Sequence, residues 1–139
     1  MSAPWRTVVV DDAPEMRVLV RALLAESDGE FPVVGEASDG PEGLEVIRRL
    51  RPDLVLLDLT MPGMDGLEVL AALGEEIAGM TVLVLSGLHV DAAADAARKA
   101  GAAGYLDKNR LVDTLLPDLR AVFAAEPPTP GPTTSEDVG

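Results

Sequence analysis

Five short apolar runs, residues 7–10, 32–35, 54–57, 81–85 and more weakly 104–106, punctuate the chain at regular intervals, and helical periodicity fills the segments between them. Runs this brief, rich in valine and leucine and without internal alternation, read as strands buried on both faces. In the intervening segments Met16, Leu19, Val20, Leu23 and Leu24 follow the i, i+3, i+4 spacing of an amphipathic helix, as do Leu67, Leu70, Leu73 and Ile77. Pro14 and Pro41 suit first-turn positions, and Asp65 with Glu68 has the spacing of a capping box. A strand–helix unit repeated five times implies a parallel sheet covered by helices on both faces, a doubly wound α/β domain. Pro117 conflicts with this pattern, because an internal proline removes a helix hydrogen bond at about 3 kcal/mol. Either the fifth helix starts near Thr114 or it kinks. Periodicity stops after Phe123, and residues 126–139 are rich in Pro, Thr and Gly, so the expected organisation is one domain over residues 1–125 and a disordered tail or linker after it.

Composition narrows what such a domain can do. Hydrophobic residues make up 47% of the 139 but aromatics only 3%, so the core has to be built from aliphatic side chains. The formal charge of −13 argues against direct binding of nucleic acid, whose phosphates require a basic footprint, and against anionic membranes. There are no cysteines, which excludes disulfides and thiolate metal sites. The start of the chain lacks the features of a signal peptide, and no apolar run reaches the ~18 residues of a membrane span. The expected location is the cytoplasm.

The chemistry collects at one end of the strands. Asp11 and Asp12 follow the first run, Asp58 the third, Ser86 the fourth and Lys108 the fifth. In open α/β sheets the ligand crevice lies outside the carboxyl ends of the strands, where the strand order reverses. With the order 2-1-3-4-5 these four strands are neighbours, and Glu36, on the edge strand, is expected outside the site. Converging carboxylates repel one another, and a hard divalent cation with oxygen ligands is the natural compensation. Lys108 adds a compact point charge suited to phosphoryl oxygens. Taken singly, Asp12 could cap a helix, Asp58 could be a solvated loop acid, Ser86 a turn residue and Lys108 a surface lysine. Their shared position at the ends of four strands favours a common site.

The segments Val9-Val10-Asp11-Asp12, Asp53-Leu54-Val55-Leu56-Leu57-Asp58-Leu59-Thr60-Met61-Pro62-Gly63-Met64-Asp65-Gly66, Leu85-Ser86-Gly87 and Gly104-Tyr105-Leu106-Asp107-Lys108 together resemble the receiver family of bacterial two-component response regulators. The resemblance covers roughly residues 6–125, and its spelling is similar to receivers that precede LuxR-type DNA-binding domains, although no such domain is expected within these residues. It implies a flavodoxin-like fold with the sheet order 2-1-3-4-5. It also implies that Asp58 is the phosphoacceptor, and that Asp11, Asp12, Asp58 and the backbone carbonyl of Thr60 hold Mg2+. Ser86 and Tyr105 would be the switch residues, and Lys108 the lysine that contacts the phosphoryl group. Asn109 stands where many members have a proline, so no cis peptide is expected there. Asp107 should point away from the crevice by strand alternation.

The implied reaction is in-line transfer from a phosphohistidine of a sensor histidine kinase or histidine phosphotransfer protein to Asp58, with slow self-dephosphorylation as the only turnover. The implied output is a protein-interaction surface over residues 91–123, facing a downstream target protein or a second copy of the chain. His89 is expected to be a solvated loop residue. Two rival readings are open. A phosphatase of the haloacid-dehalogenase type requires a second aspartate two positions beyond the nucleophile, where Thr60 stands. A receiver-like interaction domain acting without phosphorylation usually lacks one of the acids, the lysine or the hydroxyl, and this chain has all of them.

Overall fold

The computed structural model describes residues 4–87 and 91–125. The chain alternates β1 (Thr7–Val10), α1 (Pro14–Ala25), β2 (Val33–Ala37), α2 (Gly40–Leu50), β3 (Leu54–Asp58), α3 (Gly66–Leu73), β4 (Thr81–Ser86), α4 (Asp91–Lys99), β5 (Gly104–Asp107) and α5 (Leu111–Ala125), with 3-10 turns at Gly74–Ile77 and Lys108–Arg110. The strands form one parallel sheet in the order β2-β1-β3-β4-β5, as expected. His89 and the segment 126–139 lie outside the described residues. Among the described residues no helix is long and apolar enough to cross a membrane.

Strand alternation divides the core in two. Val8, Val10, Val55, Leu57, Val82 and Val84 point to one face, where they pack with Leu44 and Ile47 of α2, Val69, Leu70 and Leu73 of α3 and Ala97 of α4. Val9, Leu54, Leu56, Leu83 and Leu85 point to the other, against Val20, Leu23 and Leu24 of α1 and Leu111, Leu115 and Leu119 of α5. Both faces of the central strands β1, β3 and β4 are therefore apolar, which is why those strands show no polar alternation, whereas β2 and β5, at the edges, are only partly buried, contrary to expectation. The core is aliphatic apart from the buried ring of Phe31.

Six elements differ from expectation at a boundary. The second strand begins at Val33 and runs on to Ala37, and β3, β4 and β5 each extend one residue further, so Asp58, Ser86 and Asp107 are the last residues of their strands. The third helix stops at Leu73, because Gly74 takes φ 51° and turns the chain into the 3-10 segment that carries Ile77. The fifth helix does not wait for Thr114. It begins at Leu111 and runs through Pro117. Burial of Leu111, Leu115 and Leu119 at about 1.5–3 kcal/mol each outweighs the proline's roughly 3 kcal/mol. The expected capping box of α3 is present, with Asp65 accepting from the Glu68 N–H and Glu68 accepting from the Asp65 N–H.

Candidate functional site

The carboxyl ends of β1, β3 and β5 converge on a cluster of three acids and one lysine. Asp11, just past β1, and Asp58, at the end of β3, are 0% and 1% exposed, whereas Asp12 is exposed. One carboxylate oxygen from each of the three lies within 4.8 Å of the others. Lys108, at the start of the 3-10 turn after β5, places Nζ 3.0 Å from Asp11 Oδ2 and 3.2 Å from Asp58 Oδ1. Asp12 does not cap α1. The N-cap position is Ala13, without a side-chain cap.

Local backbone geometry orients each acid. Asp58 Oδ1 accepts from the Thr60 N–H at 2.9 Å, and Asp11 Oδ1 accepts from the Ala13 N–H at 2.9 Å. These short loops fix one oxygen of each carboxylate and turn the other inward. Asp58 Oδ2 is buried with no hydrogen-bond partner among the described residues, and Asp11 Oδ2 meets only the ammonium of Lys108. A buried carboxylate oxygen without a donor is costly unless something cationic completes it. Three carboxylates face one ammonium, and the donor set is all oxygen, so the residues fit a hard divalent cation such as Mg2+. Thr60 contributes its amide to the geometry seen here.

Burial pushes the Asp58 carboxyl upward from its ordinary 3.8. The Thr60 hydrogen bond opposes the rise, the charge of Asp11 adds to it, Lys108 opposes it, and the result is a pKa of about 6. Desolvation pulls the Lys108 ammonium down, but its hydrogen bond to Asp11 and the charges of Asp58 and Asp11 outweigh this, and its pKa is raised. Lys108 is therefore a permanent cation at neutral pH.

Ser86 is buried at the end of β4, in register with Asp107 of β5. Tyr105 is half-buried on β5 and packs against the core on the α2–α3–α4 face. Asp107 caps the following 3-10 turn by accepting from the Asn109 N–H. Glu36 stays out of the acid cluster, as expected, but it is not idle: it pairs with Arg17 at 3.4 Å and Arg21 at 2.5 Å, both on α1. Two contacts were not read from the sequence. Arg17 Nη1 donates to the Asp11 carbonyl at 2.6 Å, and Asn109 Nδ2 donates to the Gly87 carbonyl at 3.1 Å, joining the loop after Ser86 to the turn that carries Lys108. A basic residue at the start of a helix was the one available signal for the first, since acids are favoured there.

Comparison with known proteins meets this geometry at the level of the whole fold. The model of the response regulator receiver domain family matches residues 7–120. The chain belongs to this receiver family. The nitrate/nitrite response regulator NarL of Escherichia coli K12 is 40% identical over 123 residues, which cover 88% of this chain and 56% of NarL. This receiver thus spans about half the length of that relative. A LuxR-family two-component response regulator from Aurantimonas superposes with a TM-score of 0.81 at 31% identity, covering 89% of this chain and 88% of that one. The response regulator domain of CheB from Thermotoga maritima gives 0.78 at 27% identity, covering 90% of this chain and all of that one.

Proposed function

We propose that this receiver accepts a phosphoryl group on Asp58 from the phosphohistidine of a sensor histidine kinase or histidine phosphotransfer protein, and relays the change to a protein-interaction surface. The observation that carries this reading is the Asp58 carboxylate itself, buried at a strand end with one oxygen fixed and the other without a donor, beside two further acids and a lysine.

In the proposed transfer the donor's N–P bond breaks, an O–P bond forms to a carboxylate oxygen of Asp58, and the departing imidazole takes up a proton. Asp58 needs no general base, because with a pKa of about 6 it is mostly ionised at neutral pH. The Thr60 amide steadies Oδ1, so the carboxylate does not rotate away. Lys108, already within reach of Asp58 and Asp11, can turn its ammonium to an incoming phosphoryl oxygen. Asp11, Asp12, Asp58 and the Thr60 carbonyl are the residues that would hold Mg2+, which when bound offsets charge on the phosphoryl oxygens.

After transfer, the Ser86 hydroxyl would bond a phosphoryl oxygen and draw its loop inward, with Tyr105 turning into the space released. The output surface is then α4, β5 and α5, where a downstream target protein or a second copy would dock. Residues 1–125 are the signalling unit in this reading, acting in the cytoplasm and without direct contact to nucleic acid or membrane.

The test is intact mass after incubation with Mg2+ and acetyl phosphate or phosphoramidate. One labile phosphoryl adduct is expected, absent after chelation and from the Asp58→Asn variant. No adduct and no beryllofluoride binding in a folded sample would overturn the reading in favour of an interaction domain that works unphosphorylated.

A further inference from the structure

The fourth residue of α1, Arg17, sits near a helix end where a cation is locally unfavourable. Its side chain is only 19% exposed, so it is held there. Nη1 donates to the Asp11 carbonyl at 2.6 Å, and Nε lies 3.4 Å from Glu36 Oε1 on the edge strand. The other oxygen of Glu36 is taken by Arg21.

The Asp11 carbonyl belongs to the peptide bond that joins the two acids of the site. A peptide unit is planar and holds its two α-carbons at a fixed separation, so fixing the direction of its C=O fixes the orientation of the plane from which the Asp11 and Asp12 side chains leave. The remaining groups of Asp11 are accounted for: its N–H donates to the Ala37 carbonyl at 3.0 Å, and Oδ1 accepts from Ala13. The carbonyl lies past the end of β1, and Arg17 is its donor among the described residues.

We infer that Arg17 is a positioning residue for the acid pair: it locks the Asp11–Asp12 peptide so that both carboxylates face the metal position, with Glu36 as its anchor on β2. This rests on reading Asp11 and Asp12 as metal ligands. Simple electrostatics and a positioning bond predict opposite effects of removing Arg17. Deleting a cation near a metal site should tighten binding of the metal, whereas losing a positioning bond should weaken it, by about tenfold or more for residues that orient ligands.

The experiment is calorimetric titration of the phosphate-free protein with Mg2+, alongside circular dichroism of the metal-free form. Arg17→Met is expected to bind Mg2+ about tenfold more weakly than wild type. Arg17→Lys, which keeps the charge but not the planar fork, should fall between them. Arg21→Met removes an equal charge from the same face without touching Asp11, and is expected to match wild type within about twofold. Equal or tighter Mg2+ binding by Arg17→Met would overturn the inference while leaving the metal site standing, as would equal losses for Arg17→Met and Arg21→Met. Absence of Mg2+ binding by the wild type would overturn the underlying reading of the acid cluster, and the inference with it. If Arg17→Met fails to fold, Arg17→Lys decides alone: full wild-type affinity counts against positioning, and a loss of a few fold supports it.

Discussion

Replacing Asp58 by asparagine should make the metal-free protein more stable at neutral pH. The carboxyl is 1% exposed, and its pKa rises from 3.8 to about 6 on folding, with burial as the leading cause. Each tenfold change in proton affinity is 1.36 kcal/mol, so ionised Asp58 lowers folding stability by about 3 kcal/mol relative to its neutral form. The sign follows from the order of the two values. Below pH ~4 the group is neutral in both states and contributes no penalty. Between ~4 and ~6 only the unfolded chain releases the proton, so stability falls as pH rises, and above ~6 the loss is complete. Asparagine keeps the shape and an oxygen for the Thr60 N–H but carries no charge. Its gain is therefore expected to be about 1–3 kcal/mol at pH 7.5, seen as a rise of several degrees in Tm, and to shrink towards zero near pH 4. Thermal and urea denaturation of both proteins in chelator, at pH 7.5, 6 and 4.5, measures this. Excess Mg2+ should narrow the gap by stabilising the wild type more than the variant, which lacks one of the three acids. A variant no more stable than wild type at pH 7.5, or a gap that does not change with pH, would refute the burial argument.

Two further outcomes follow from contacts at the site. Lys108→Ala removes the ammonium that now occupies Asp11 Oδ2 and Asp58 Oδ1, so Mg2+ should bind more tightly in calorimetry while the yield of phosphoryl adduct falls; unchanged affinity would mean the lysine does not compete for those oxygens. Gly66 opens α3 directly over β3, and a Cβ there would lie 2.5 Å from the Asp58 carbonyl and 2.9 Å from Leu59 Cα, both backbone. Gly66→Ala should therefore destabilise by about 1–3 kcal/mol in urea denaturation and reduce adduct formation, whereas wild-type values for both would show that α3 shifts freely.

The parts of the structure that rest on local rules could be read without coordinates. The central strands β1, β3 and β4 announced themselves because burial on both faces demands uninterrupted apolar runs, whereas the edge strands β2 and β5 are only partly buried, and the convergence of Asp11, Asp58 and Lys108 followed from the strand order. Boundaries were less accessible, since they depend on competition between local and tertiary terms. The spacing of Leu67, Leu70, Leu73 and Ile77 continues smoothly through Gly74, yet the backbone there turns to φ 51° and Ile77 reaches the core from a 3-10 turn instead. Pro117 argued for a late start to α5 or a kink in it, and the helix begins early, at Leu111, where three buried leucines hold it. Arg17 and Asn109 were missed for a different reason. Their partners are main-chain carbonyls 6 and 22 positions away in the sequence, and carbonyl direction leaves no trace in side-chain identity.

The two apolar clusters that grip the sheet from either side give the molecule an uneven stiffness. Well-packed interiors compress little, so strands held between two cores cannot bend to absorb a disturbance of an ångström at their ends. The acids of β1 and β3 ride on that rigid frame. Beyond that frame, the bond from Asn109 to Gly87 ties the residue after Lys108 to the residue after Ser86. In the proposed switch, a displacement that starts at Asp58 would therefore reach Gly87 and Asn109 together, across the tops of β4 and β5.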